Sequence, residues 1–172
     1  KYTSLPQVVA RREIPEGLWV KCPSCAEANH KAQLEENLQI CPRCGYHNRM
    51  TAIDRLKLLA DPGSFQEIDP ELFSVDALGF NDQKRYEDKL RGDQAKTGLN
   101  EAAITGTATI GGRKAALGIM DFRFRGASMG SVVGEKITRL IEHGCAHGLP
   151  VVVVCTSGGA RMEEGMLSLM QM

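Results

Sequence analysis

Four of the six cysteines fall into two C-x2-C pairs, Cys22 with Cys25 and Cys41 with Cys44, separated by fifteen residues. Two short knuckles of this kind each present two thiolates to one side, and together they complete the tetrahedron that Zn²⁺ prefers. Pro23 and Pro42 follow the first cysteine of each pair and Gly45 follows the last, which favours tight turns. Lys21, Lys31, Arg43 and Arg49 stand close enough to offset the double negative charge of a metal held by four thiolates. Four protein ligands leave no open position for water or substrate, so the expected ion is structural. His30 and His47 are expected at the surface rather than on the metal, and Cys145 and Cys155 as small buried apolar residues. Taken alone, the ribbon and its small basic patch equally fit a nucleic-acid-binding or regulatory module.

A second pattern carries a different chemistry. MDFRFRGASMGS (120–131) and VCTSGGARMEEG (154–165) each lead from an apolar run through small residues into a helical pattern. Such turns expose backbone N–H groups where a helix dipole favours negative charge, a setting suited to a developing oxyanion. Side chains at Gly126, Gly158 and Gly159 would keep a substrate away from that backbone. Fixed donors of this type are worth roughly 3 kcal/mol each to an enolate-like transition state. Spacing alone favours plain strand-to-helix packing turns. Conventional catalytic groups are scarce nearby: His143 and His147 lack an acid partner, Ser157 is not in a G-x-S-x-G elbow, and Asp121 reads as a structural carboxylate.

The elements that must hold these turns follow from periodicity. Residues 1–18 read as a polar N-terminal arm, 19–50 as the four-cysteine ribbon, and 51–172 as an α/β domain. Thr51 and Asp54 signal the start of a short helix carrying Ile53, Leu56 and Leu59, stopped by Asp61-Pro62-Gly63. The charged stretch from Asp82 to Lys96 suits an exposed helix. Ala103 to Ile110 and Lys114 to Phe122 flank Gly111-Gly112 as a hairpin. Ser128 to His147 places Val133, Ile137, Leu140 and Ile141 at helical spacing. Pro150 to Cys155 reads as a strand covered on both faces, and a further helix is expected from Met162. Strand, helix, strand, helix with glycines at the strand exits is an α/β crossover pattern.

Bulk properties narrow the partners. Twenty-one basic residues balance 21 acidic ones, so no global field draws the chain to nucleic acid or an anionic membrane. The longest strongly apolar stretch, Pro150 to Cys155, is far short of the roughly 18 to 20 residues that cross a bilayer. The start lacks the pattern of a secretory signal, which suggests a reducing compartment. The absence of Met at position 1 and the unstopped helical pattern EEGMLSLMQM lead to the expectation of a piece of a longer protein.

KCPSC, CPRCGYH, ITGTATIGGRKAALGIMDFRF, GASMGSVVGEKITRLIE and SGGARMEEGMLSLMQM together resemble the carboxyltransferase β subunits of bacterial or plastid-type acetyl-CoA carboxylase, over about Ile14 to Met172. The resemblance implies an α/β fold of the crotonase (ClpP-like) class, a partial β-β-α superhelix preceded by the ribbon. It implies transfer of a carboxyl group from carboxybiotin, on a separate biotin carrier protein, to acetyl-CoA, giving malonyl-CoA for fatty acid synthesis. In that family the biotin anion itself removes the acetyl proton, so the protein supplies orientation and oxyanion stabilisation. By resemblance the enolate-binding donors are the backbone N–H groups of Gly158 and Gly159, with Gly126 and Ala127. Arg161, Ser157 and Arg125 are carried over as acyl-CoA contacts, with Arg123 and the Lys84 to Lys96 stretch as further cationic candidates.

The resemblance further implies one structural Zn²⁺ per chain, an α subunit partner in an α2β2 assembly that supplies the second oxyanion hole, and biotin carboxylase in the larger complex. This chain alone is then expected to be inactive. It implies a bacterial cytoplasmic setting first and the plastid stroma second, no membrane, nucleic acid as a possible secondary ligand, and a ribbon that orders or covers one side of the acyl-CoA entrance. Two departures stand out: Ala127 replaces a glycine frequent in the family, and the sequence stops directly after the second glycine motif, before the rest of the core and part of the CoA pocket.

Overall fold

A computed structural model describes residues 17–171. Residues 1–16 of the expected N-terminal arm lie outside the described residues. The chain divides after Arg49 into two compact units.

The smaller unit pairs β1 (Trp19–Lys21) with β2 (Ala28–His30) antiparallel and adds a short helix, α1 (Lys31–Glu36). His30 caps α1, its Nδ1 accepting from Ala32 N–H at 3.3 Å, and its ring meets Trp19 edge to face. An isolated bridge joins Ile40 to His47. Among its described residues only Cys22, Asn29, Leu34 and Cys41 are buried. So small an apolar interior cannot offset the entropy of ordering about thirty residues.

In the larger unit, α2 (Ala52–Leu59) starts where the capping signal placed it: Thr51 Oγ accepts from Asp54 N–H at 3.1 Å. The helix is anchored at depth, because the buried Asp121 carboxylate accepts from Ala52 N–H at 2.9 Å. The expected hairpin is present as β4 (Ala103–Ile110) and β5 (Arg113–Met120), paired in register from Ala103 opposite Met120 to Ile110 opposite Arg113. Gly111 and Gly112 have φ of 57° and 77°, the left-handed backbone that a two-residue hairpin turn demands. Asp61, from the segment that stops α2, accepts both of their N–H groups at 3.0 and 2.8 Å. The short β3 (Gln66–Glu67) extends the sheet on the β4 side.

Two charged or glycine-bounded helices complete the unit. α3 (Tyr86–Thr97) is charged, as expected, yet Tyr86 and Leu90 are buried in the core, so it is docked rather than free in solvent. α4 (Ser131–His147) buries Val133, Lys136, Leu140 and Gly144 along one stripe and stops at Gly148 with φ 61°. β6 (Val151–Val154) then pairs parallel to β5, giving the order β3-β4-β5-β6 and a β-β-α unit followed by the next strand.

Several expectations are corrected. β6 is the edge of the described sheet, with Val151 and Val152 exposed, so its apolar residues are not covered on both faces. Cys145 is exposed because it lies off the buried stripe of α4, and Cys155 is exposed because it follows the end of the edge strand. Ile141 also lies off that stripe. α4 begins at Ser131 rather than Ser128, after a 3-10 turn over Arg125–Ala127. The final helix is split: a 3-10 turn, Met162–Glu164, breaks at Gly165 before α5 (Met166–Leu169).

Candidate functional site

The two cysteine knuckles have the same construction. Cys22 N–H donates to Glu27 O at 2.8 Å and Ala26 N–H to Cys22 O at 3.0 Å; Cys41 N–H donates to Tyr46 O at 2.8 Å and Gly45 N–H to Cys41 O at 2.9 Å. Ala26 and Gly45, at matching places, both have positive φ. All four sulfurs lie within 4.8 Å of one another, with Cys22 to Cys44 at 3.7 Å and Cys25 to Cys41 at 3.8 Å. The edge of a tetrahedron with Zn–S bonds of about 2.3 Å is about 3.8 Å, so the donor set fits this ion.

Backbone N–H groups of Cys44 and then Arg43 draw the Cys41 thiol down to about 6, against the effect of burial. At Cys25 the Glu27 N–H acts downward, but burial and the three neighbouring thiols prevail and push it up to about 12. A dication held by the four thiolates removes this conflict. Asn29 Nδ2 supports Cys41 Sγ at 3.7 Å. Arg43 is ion-paired to Glu27 and Lys31 to Glu35, so these two cations of the expected basic patch have carboxylate partners within the ribbon.

The glycine turns lie side by side. Gly158 N–H donates to Gly126 O at 2.8 Å, Met129 N–H to Gly159 O at 2.9 Å and Arg161 N–H to Met129 O at 3.0 Å, with Met129 and Ala160 forming a parallel bridge. Arg125, Gly126 and Ala127 have φ of 48°, 64° and 50° in succession. A left-handed non-glycine residue costs about 1–2 kcal/mol, so the surroundings must hold the turn. They do so at both ends: Arg125 is paired with Asp93 at 3.0 Å and with Glu163, and the Ala127 methyl is fully buried.

Three of the four expected donors have partners within the turns. Gly158 N–H is spent on Gly126 O, and Ala127 N–H is donated to Phe124 O at 2.8 Å. These two residues shape the turns and do not offer free donors. Gly159 N–H donates to Ser157 Oγ at 3.0 Å, and Ser157 is exposed. α4 offers no anion site, because the Glu164 carboxylate already accepts from Ser131 N–H at 2.6 Å. Burial raises the pKa of Glu164, but the hydrogen bonds from Ser131 and Tyr86 outweigh it and keep the carboxyl below its usual range.

Arg161 requires a further correction. It is fully buried, and its nitrogens are taken up by Glu101 (2.6 and 3.0 Å), Ser128 O (2.8 Å), Ser128 Oγ, Ser74 Oγ and Tyr86 Oη. Such a guanidinium cannot reach a CoA phosphate. Burial opposes its charge, yet the Glu101 carboxylate holds it above its ordinary value. Arg125 is mostly buried and doubly paired, so neither arginine is a solvated cation, whereas Arg123 is partly exposed and clamps Asp121 at 2.7 Å. Glu101, Glu164, Tyr86 and Ser74 went unnoticed in the sequence. The available signal for Glu101 was an acid directly before the apolar run of β4.

Residues 19–44 match the acetyl-CoA carboxylase zinc finger domain, and residues 46–172 match the carboxyl transferase domain. The chain belongs to the carboxyl transferase family. Within it, the chain is 51% identical over 166 residues, 96% of its length, to the acetyl-coenzyme A carboxylase carboxyl transferase subunit beta of Prochlorococcus marinus strain MIT 9303. It is 57% identical over 157 residues to the subunit of that name from Synechococcus sp. strain RCC307, covering 91% of this chain and 54% of the relative. The chloroplastic subunit of Pyropia yezoensis is 54% identical over 159 residues, 92% of this chain and 55% of that one.

This carboxyl transferase chain spans about half the length of the curated relatives it matches, 57% in the case of Prochlorococcus. Among solved structures it resembles the transcarboxylase 12S crystallised with methylmalonyl-coenzyme A and methylmalonic acid, at 29% identity and a TM-score of 0.56, over 72% of this chain and 22% of that one. The fold is accordingly crotonase-like α/β with an N-terminal zinc ribbon. No described helix is long and apolar enough to cross a membrane.

Proposed function

We propose that the chain is the zinc-ribbon and glycine-turn part of an acetyl-CoA carboxylase carboxyltransferase β subunit, and that the whole subunit carries a carboxyl group from carboxybiotin to acetyl-CoA, yielding malonyl-CoA. The observation that carries this reading is the parallel pairing of the two glycine turns, at Gly158 N–H to Gly126 O, in a chain more than half identical to subunits of that name. Bound biotin, on a separate carrier protein, supplies the carboxyl group and the base. The protein's own task is to fix the thioester and stabilise its enolate. Gly159 N–H exchanges Ser157 Oγ for the enolate oxygen, and Gly126 on the facing turn provides the second donor.

The α subunit completes the site in an α2β2 assembly, which works with the biotin carboxyl carrier protein and biotin carboxylase in bacterial cytoplasm or plastid stroma. A nucleic-acid role finds less support, since Arg43 and Lys31 are already paired with carboxylates. The complete zinc-loaded subunit, purified with its α partner, should form malonyl-CoA from acetyl-CoA and carboxybiotin. No transfer by that complex would overturn the reading.

A further inference from the structure

Arg161 is the largest fully buried side chain of the unit, and it touches both glycine turns. Its backbone lies on the second turn, two residues after Gly159, while its Nη2 donates to Ser128 O on the first turn at 2.8 Å and its Nε to Ser128 Oγ at 3.2 Å. The guanidinium is held from behind by Glu101, through Nη2 at 2.6 Å and Nη1 at 3.0 Å, and Glu101 leads directly into β4, the sheet's own frame. Ser74 Oγ donates to Glu101 at 2.5 Å and accepts from Arg161 at 3.0 Å. Tyr86 on α3 accepts from Arg161 at 3.2 Å and donates to Glu164 at 2.7 Å, and Glu164 caps α4. The network thus connects β4, α3 and the start of α4 at the point where the two turns meet. There is no slack in it: a methyl group at Gly130 would lie 2.5 Å from Glu164 Oε1 and 2.8 Å from Arg161 Nη1.

We infer that Glu101 and Arg161 are positioning residues, a buried ionic brace that sets the separation of the two glycine turns and so the aim of their N–H donors. The inference rests on the enolate-binding reading of those turns. Neither residue touches substrate. A buried pair of this kind is a poor source of net stability, since apolar groups of similar volume serve as well. Its use is geometric: donors must hold their place to within about 0.5 Å, and a displacement of about 1 Å can cost 100-fold in rate.

The test uses the complete subunit assembled with its α partner, comparing Glu101→Gln, Tyr86→Phe and Ser74→Ala with a core control, Leu140→Ala, which leaves the brace untouched. Expected for Glu101→Gln is a fall in kcat of about 30-fold or more with KM for the acyl-CoA changed less than about 3-fold. Amide exchange across 126–131 and 157–161 should quicken about 10-fold while that of β4 and β5 is unchanged. Tyr86→Phe and Ser74→Ala should show the same pattern in smaller degree, and they decide the matter if Glu101→Gln fails to assemble. Leu140→Ala should lower the melting temperature with kcat within about 2-fold. Unchanged exchange in the turns of the brace variants, or an equal loss of kcat in Leu140→Ala, would overturn the inference. A wild-type complex without transfer activity would count against the proposed function alone, because the exchange comparison still decides whether the brace holds the turns.

Discussion

The amide proton of Gly158 is donated to the carbonyl oxygen of Gly126 at 2.8 Å, joining two turns that lie thirty-two residues apart in the chain. A Cβ added at Gly158 would come within 3.2 Å of that same oxygen, closer than an ordinary contact. The hydrogen bond would have to lengthen, and the turns would separate by a few tenths of an ångström. Gly158→Ala is expected to reduce turnover of the assembled enzyme about 10- to 100-fold with little change in urea unfolding. Steady-state kinetics beside an unfolding curve measures both.

The ribbon should depend on its metal. With four buried residues it has no core of its own, whereas metal binding of about 10–16 kcal/mol is available from a four-thiolate site. Chelation, or Cys22→Ser, should unfold residues 17–49 while the hairpin and α4 of the larger unit stay folded. Metal analysis together with residue-resolved NMR would register this, and a ribbon still ordered without zinc would contradict it.

Asp121 makes stability depend on acidity. Burial would raise its pKa, but the Arg123 side chain and the Ala52 and Arg123 N–H groups outweigh burial and hold it below the ordinary 3.8. A carboxylate depressed on folding adds stability that is complete above its unfolded value and disappears as the pH falls through the folded one. The urea midpoint of the larger unit should therefore drop as the pH is lowered from about 5 to about 2, and Asp121→Asn should flatten that slope. Equal slopes for both proteins would remove Asp121 from the account.

Ala127 offers a test of strain. Its φ of 50° costs about 1–2 kcal/mol, while its buried methyl returns about 0.8 kcal/mol and a glycine adds chain entropy to the unfolded state. Ala127→Gly should change stability by less than about 1 kcal/mol. A differential unfolding measurement in urea would expose a larger effect of either sign.

The cysteine knuckles could be read directly from the sequence because their geometry is local: each knuckle closes hydrogen bonds within six residues, and two knuckles suffice for a tetrahedron. The hairpin at Gly111-Gly112 and the Thr51 cap were legible for the same reason, since each depends on the backbone of a few adjacent residues. Periodicity placed α4, but residue type misjudged Cys145, whose burial depends on which neighbour packs against each side of the helix.

What the sequence could not convey was the partnership of distant charges. Arg161, taken from its motif as a contact for CoA, is instead enclosed by Glu101, Glu164, Tyr86 and Ser74, brought together across as many as 87 positions. The sequence by itself determined the metal ligands, the existence of two glycine turns of like construction, and the family. Only the tertiary structure decided which N–H groups of those turns are spent and which arginine is a brace, because desolvation and hydrogen-bond partners belong to positions in space, not to positions in the chain.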